Sequence, residues 1–225
     1  MGLIETFFNG EILVSAFPIL LRGLANTLLL GSVAIVCGCI WGLLLCLLRL
    51  YAPKPIRLLA IGYIDIFRAA PILVVLILLY YALPFVGVRL SSFASAAIAL
   101  SAVLGAFTAE VCRAGIENVP RGQFEAAASL GLNFRLTMWK VILPQALRMV
   151  VPPQTSNCVS IFKDTALASV VAMPDLLKQA TDAQAMMANP TPLIGAAIIY
   201  LAMLWPMVRL VSHLEERSKA QRAAR

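Results

Sequence analysis

Charge is what this chain has least of. Only 13% of its 225 residues are Asp, Glu, Lys or Arg, while 61% are hydrophobic, and the mean hydropathy is +0.89. Soluble domains carry charge on about a quarter of their residues, so an ordinary solvated surface is excluded. Histidine occurs once, as His213 in a basic tail, so no histidine-based metal or catalytic group is expected. No G-x-x-x-x-G-K-[ST] run occurs, and the chain therefore has no phosphate loop for ATP. No HExxH run and no nucleophile beside a base appear either, which leaves an enzyme reading without support. The cysteines, Cys37, Cys39, Cys46, Cys112 and Cys158, are odd in number and sit in or beside apolar runs, where a thiol acts as a small hydrophobe. Cys37 and Cys39 point to different helix faces, so neither a disulfide nor a metal pair is expected. The first 22 residues have no basic cluster and no small-residue cleavage site, so they do not read as a secretory leader. They read as an outer interfacial helix or an unstructured end.

What the chain has instead is length without charge. Uncharged stretches recur near the roughly 20 residues that a bilayer requires, at 23–48, 69–88, 90–109 and 183–208. A shorter run, 149–162, contains Pro152-Pro153 and needs neighbouring residues to cross. The expectation is an all-α membrane protein with five transmembrane helices, the fourth kinked or broken. Basic residues orient it, because cytoplasmic loops hold the excess of Lys and Arg. Arg49, Lys54, Arg57 and Arg68 follow the first run, and Arg113, Arg121, Arg135, Lys140 and Arg148 follow the third. Arg209, Arg217, Lys219, Arg222 and Arg225 follow the fifth, so 14 of 18 basic residues share one side. The amino terminus is expected outside and the carboxyl tail inside. Sidedness accounts for the net charge of +7, and no nucleic-acid partner is expected.

One polar insert, 119–144, interrupts this pattern. Pro120 suits a first helical turn, Gly131 a left-handed helix end, and Asn133 the cap of a second helix that Pro144 interrupts. Two short helices meeting at a bend are expected, with alanines on the first that let another backbone come close.

Glu125-Ala126-Ala127, then Gly131, then Leu143-Pro144 form the pattern EAA-x3-G-x9-[IV]-x-LP. This resembles the EAA motif of ABC importer permease subunits. Further runs are similar to those of the polar amino-acid (histidine/glutamine/arginine-type) permeases. They are Tyr63 to Leu73, Ala106 to Arg113, Pro120-Arg121-Gly122-Gln123, Leu143 to Ala146, Lys163 to Leu167 and Glu216-Arg217. Ala69-Ala70, Phe107 and Ala166 depart from those patterns near candidate pore positions. The resemblance implies a type I ABC importer transmembrane domain over residues 23–217, with a short basic cytoplasmic tail at 218–225. It implies coupling to separate ATPase subunits through Arg121, Gly122, Glu125, Ala126, Ala127, Gly131, Leu143 and Pro144. It also implies a second permease subunit (a copy or a paralogue), an extracytoplasmic solute-binding protein, and a polar amino acid or opine as solute. ATP would bind the partner subunits, and this chain would need no cofactor. The setting would be lipid, in a bacterial inner membrane. The alternative is a stand-alone channel or ion-coupled carrier for a small polar solute.

A solute path at bilayer depth needs polar groups, and these are costly there without purpose. Candidates are Thr108 and Glu110 near the end of the third run, and Ser156, Asn157 and Ser160 on the fourth. Glu110 reads equally well as an anchoring pair with Arg113, three residues on. The polar fourth-run residues read also as helix–helix hydrogen bonds. Lys163, Asp164 and Thr165 form a corner where Asp164 or Thr165 is expected to cap a short helix over 166–173. Asp65 and Arg68 read as structural.

Overall fold

The computed structural model describes residues 7–223, with side chains through residue 216. Glu5 and the tail beyond 216, with Arg217, Lys219, Arg222 and Arg225, lie outside that description. Among the described residues there are helices and turns but no strands.

Helix α1 runs unbroken from Gly10 to Tyr51, and Asn9 caps it by accepting from the N–H groups of Glu11 and Ile12 at 3.0 and 3.2 Å. The expected boundary at residue 22 is therefore absent: the apolar period of residues 10–22 continues directly into the first long run. Next come α2 (Lys54–Ala69) and α3 (Ile72–Ile77), the latter extended by a π turn, Leu78–Ala82, and a 3₁₀ turn, Leu83–Val86. The run expected as one span over 69–88 is helical from Ile72 to Val86, the second arm of a pair bent by 106°. Pro71 causes the break, since it has no N–H and forces extended backbone on Ala70, which sits at φ −74°, ψ 132°.

Helix α4 (Ser92–Glu117) lies against α1 throughout its length. The approach is close: a Cβ on Gly42 would stand 2.6 Å from the Gly105 carbonyl oxygen and also strike Thr108, and one on Gly38 would stand 2.9 Å from Leu104. Small residues allow such contact between membrane helices. Leu30, Ala34, Leu76, Ala96, Leu100 and Leu104 form the main core around this crossing.

Helices α5 (Arg121–Ser129) and α6 (Phe134–Thr137) make the polar insert, and a π turn, Met138–Ile142, leads into α7 (Leu143–Asp164). Pro144 interrupts the helix as expected, through the π turn just before it and without a stop. The wider turn before it relieves the clash between its ring and the preceding carbonyls. Pro152-Pro153 sit inside a continuous α7, which they do not break into two elements. A 3₁₀ turn, Thr165–Val171, replaces the helix expected over 166–173, and neither Asp164 nor Thr165 caps it. The Thr165 hydroxyl donates to the Phe162 carbonyl at 2.7 Å.

The cap in this region is Asp175, whose Oδ1 accepts from the Lys178 N–H at 2.9 Å and starts α8 (Leu176–Met187). Thr27 accepts from the Leu176 N–H at 3.0 Å and Asn26 donates to the Pro174 carbonyl at 2.8 Å, so α1 holds this link. Asp175 is fully buried, and burial pushes its carboxyl from 3.8 up to about 6. A carboxyl raised on folding contributes stability below its unfolded pKa and loses that contribution as pH rises through about 6. Asn caps as well as Asp. Asp175→Asn is therefore expected to unfold at a higher temperature than wild type at about pH 8, by up to ~3 kcal/mol. The gap should close as pH falls toward about 4. A gap independent of pH in thermal melts of the detergent-solubilised protein would refute this.

Helix α9 (Thr191–Ala223) closes the chain. Among the described residues, three helices are long and apolar enough to cross a membrane: α1, α4 and the Thr191–Glu216 part of α9; the bent pair makes a fourth if it counts as one span.

Candidate functional site

Three groups of residues carry the functional geometry. The first is the polar insert. Residues 121–129 form one good helix, which ends in a Schellman motif: Gly131 N–H donates to the Ala128 carbonyl at 2.9 Å and Leu132 N–H to that of Ala127 at 3.1 Å. Gly131 sits at φ +71°, where only glycine is free of strain. Asn133 then caps α6 by accepting from the Leu136 N–H at 2.9 Å. Both features match expectation, although α6 is one turn long. Ala127 is buried, and Phe124 of the same helix packs against a core of Val119, Ile142 and Ala146. Arg121, Gly122, Glu125 and Ala126 face outward, and so do Leu130 at 79%, Phe134 at 62% and Trp139 at 73% exposure. Leu143 is half-buried and Pro144 exposed, both on the first turn of α7. Exposed apolar rings and aliphatics on a bend between capped helices are typical of a docking surface.

The second group is the interior face of α7. Gln154 donates through Nε2 to the Thr108 hydroxyl at 2.9 Å and to Cys39 Sγ at 3.3 Å, joining α1, α4 and α7. Thr108 is buried. Asn157 lies one turn on; its Nδ2 and Gln154 Oε1 are buried without a partner among the described residues. Each such group costs about 1–3 kcal/mol. Next to Asn157 on the helix surface, Ser156, Ser160 and Lys163 follow one another at helical spacing, with Ser160 and Lys163 exposed. Asp164 is half-buried and Thr165 fully buried, so the expected corner is not one open cluster.

The third group surrounds Glu110. Its carboxylate takes Arg49 Nη1 at 2.9 Å, Arg113, and Arg68 Nη1 at 3.8 Å, and Arg113 also pairs with Glu117. Arg68 further lies 5.9 Å over the Phe107 ring. Of the two readings of Glu110, the anchoring one describes this structure, and it extends beyond Arg113 to the ends of α1 and α2. Sequence reasoning did not find Gln154 or the Arg49 contact. Gln154 was open to discovery as an uncharged polar residue three positions before Asn157; nothing local links Arg49 to Glu110 across 61 residues.

Residues 34–220 match the family described as the binding-protein-dependent transport system inner membrane component. The chain is 36% identical to the probable amino-acid ABC transporter permease YckA of Bacillus subtilis, covering 78% of each. It is 36% identical to the L-cystine transport system permease TcyB of the same organism, covering 90% of this chain and 87% of that one. Among solved structures, an amino acid ABC transporter described with histidines superposes with TM-score 0.86 at 35% identity, over 91% of this chain and 96% of that one. A methionine transporter in inward-facing form, MetNI, shares the fold at TM-score 0.66 and 19% identity. The chain belongs to the binding-protein-dependent transport system inner membrane component family. It is thus a multi-pass inner-membrane permease component with the type I ABC importer fold, and not an enzyme.

Proposed function

We propose that this chain forms half of the pore of an ATP-driven importer for polar amino acids or close relatives such as opines. The observation that carries this is the polar stripe of α7. Ser156, Ser160 and Lys163 share one helix face with no partner among the described residues. Lipid does not stabilise such a face, so it belongs against a lined path shared with a second subunit, either a copy or a paralogue. Five spans fit this reading: α1, the outer arm Ile72–Val86 with its π and 3₁₀ turns, α4, α7 and α9. The distribution of basic residues puts the amino terminus outside and the carboxyl tail in the cytoplasm. That orientation presents the 119–144 bend to two ATPase subunits, with Arg121, Gly122, Glu125, Ala126, Ala127, Gly131, Leu143 and Pro144 at or under the contact. An outside binding protein delivers the solute, and ATP-driven closure of the ATPase pair biases the pore between its two states. The relatives that carry cystine and other amino acids support the solute class.

Asn157 offers its buried, unpartnered Nδ2 to the solute, and Ser156, Ser160 and Lys163 line the approach along the same helix, with Asp164 at its end; the buried Thr108 and Thr165 back the wall of the path. Asn157→Ala removes a buried donor that the protein itself leaves unpaired, so stability should not fall. Uptake by the reconstituted complex should drop about tenfold, the worth of one hydrogen bond to solute at ~1.4 kcal/mol. Unchanged uptake and unchanged solute preference would show that the path lies elsewhere.

A further inference from the structure

Helix α2 has a surface that neither transport nor coupling uses. Ala60 and Ile64 are its only buried residues, and they pack against Leu45 and Cys46 of α1 and Ala109 and Cys112 of α4. With 3.6 residues per turn, Leu58, Leu59, Gly62 and Ile66 fall on an arc away from that packed face. The large members of the arc are open: Leu58 is 58%, Leu59 75% and Ile66 65% exposed. Lys54 and Arg57 lie along one edge between the two faces, both exposed, and the first turn has no acidic residue.

Two neighbours fix the depth of this helix. The Glu110 cluster, with Arg49, Arg68 and Arg113, sits at its carboxyl end, and such an ion cluster belongs at the polar boundary of a bilayer. Tyr63 touches Trp41 edge-on at 5.8 Å, and amphipathic aromatic rings favour that same boundary. Tyr63 also floors an apolar cleft of about 340 Å³ lined by Val33, Cys37, Trp41, Ile98 and Ser101, between α1 and α4. The 106° bend at Pro71 turns α2 away from the direction of the spanning arm.

From this we infer that α2 is an in-plane anchor: its apolar arc sinks into the inner leaflet, and Lys54 and Arg57 bind acidic lipid phosphates. An apolar arc edged by basic residues is the pattern of helices that lie in the interface. Two adjacent cations in a first turn that holds no acid, with the exposed Asp65 about two turns further along the helix, complement an anionic headgroup and leave a second permease copy, itself basic, as the poorer occupant. The leaflet assignment rests on the topology proposed above.

The test is photo-crosslinking in the assembled complex, with a diazirine residue in place of Leu59, in liposomes of zwitterionic lipid with or without phosphatidylglycerol. Lipid adducts are expected at position 59, several-fold more of them than with the same residue in place of Arg57. An adduct to a second permease copy, or to water alone, overturns the inference. Adding phosphatidylglycerol should raise ATP-driven uptake by wild type several-fold, and Lys54→Glu with Arg57→Glu should abolish that rise. An equal rise in both overturns the headgroup assignment. Reporter fusions judge the topology separately: after residue 225 and within 122–133 they should read cytoplasmic, and within 174–189 external. Inverted fusions with lipid adducts retained at position 59 would sink the topology, and the leaflet with it, while keeping the in-plane helix.

Discussion

Gly42→Leu is expected to prevent assembly of a stable permease. Even the first added carbon would stand 2.6 Å from the Gly105 carbonyl oxygen and strike Thr108. The atoms it meets are backbone and a Cβ, which no rotamer change can move. Helices α1 and α4 must separate, and the Gln154 hydrogen bonds to Thr108 and Cys39, which tie α7 to both of them, are strained as they do. Overpacking of this kind costs about 1–3 kcal/mol when side chains can adjust, and more when they cannot. A fall in unfolding temperature of about 10 °C, or loss of the complex on purification, is the expected reading. Gly62→Leu is the matched control, since nothing lies within 4 Å of a Cβ there. Equal behaviour of the two variants would show that the α1–α4 crossing is loose.

Gly131→Val should do the opposite: spare the fold and stop transport. A Cβ on Gly131 meets nothing within 4 Å, so packing is not disturbed. The cost is backbone strain at φ +71°, about 1–2 kcal/mol for an ordinary residue and more for a β-branched one. The chain relieves it by abandoning the left-handed turn, which swings Leu130 and Phe134 away from their present positions. ATP-driven uptake in the reconstituted complex should fall more than tenfold (on the order of 1.4 kcal/mol or more) with an unfolding temperature near wild type. Asn tolerates the left-handed region, so Gly131→Asn should retain most of the uptake. Wild-type uptake by the valine variant would mean that this bend does not transmit the stroke.

The features legible in the sequence were those decided locally. Gly131 and Asn133 announce a helix end and a helix start by residue chemistry alone, and the structure has both. The long runs around α1, α4 and α9 announce themselves by length. Where distant segments decide, the reading failed. Pro152-Pro153 looked like a break because a proline removes one hydrogen bond, but α7 carries through both. Asp164 and Thr165 have capping chemistry, but backbone held in a tight 3₁₀ turn gives them nothing to cap, and Asp175 does that work eleven residues after Asp164. Residues 54–68 fell between the first two uncharged runs because Lys54, Arg57 and Arg68 interrupt them, and the structure makes them α2. Glu110 pairs with Arg113 as its anchoring reading has it, but its second and third arginines come from helices that only the fold brings there.

The glycine-lined contact of α1 with α4 has a mechanical consequence. Helices that meet through long side chains can slip past each other, because rotamers exchange in picoseconds to nanoseconds. Backbone against backbone has no such clearance, and sliding by a single residue would bring Trp41 or Leu104 where a glycine now sits. These two helices therefore travel as one plate. Any change of shape in the subunit has to be taken up at the joints that are not helical, at 52–53, 70–71, 87–91, 118–120, 130–133, 172–175 and 188–190.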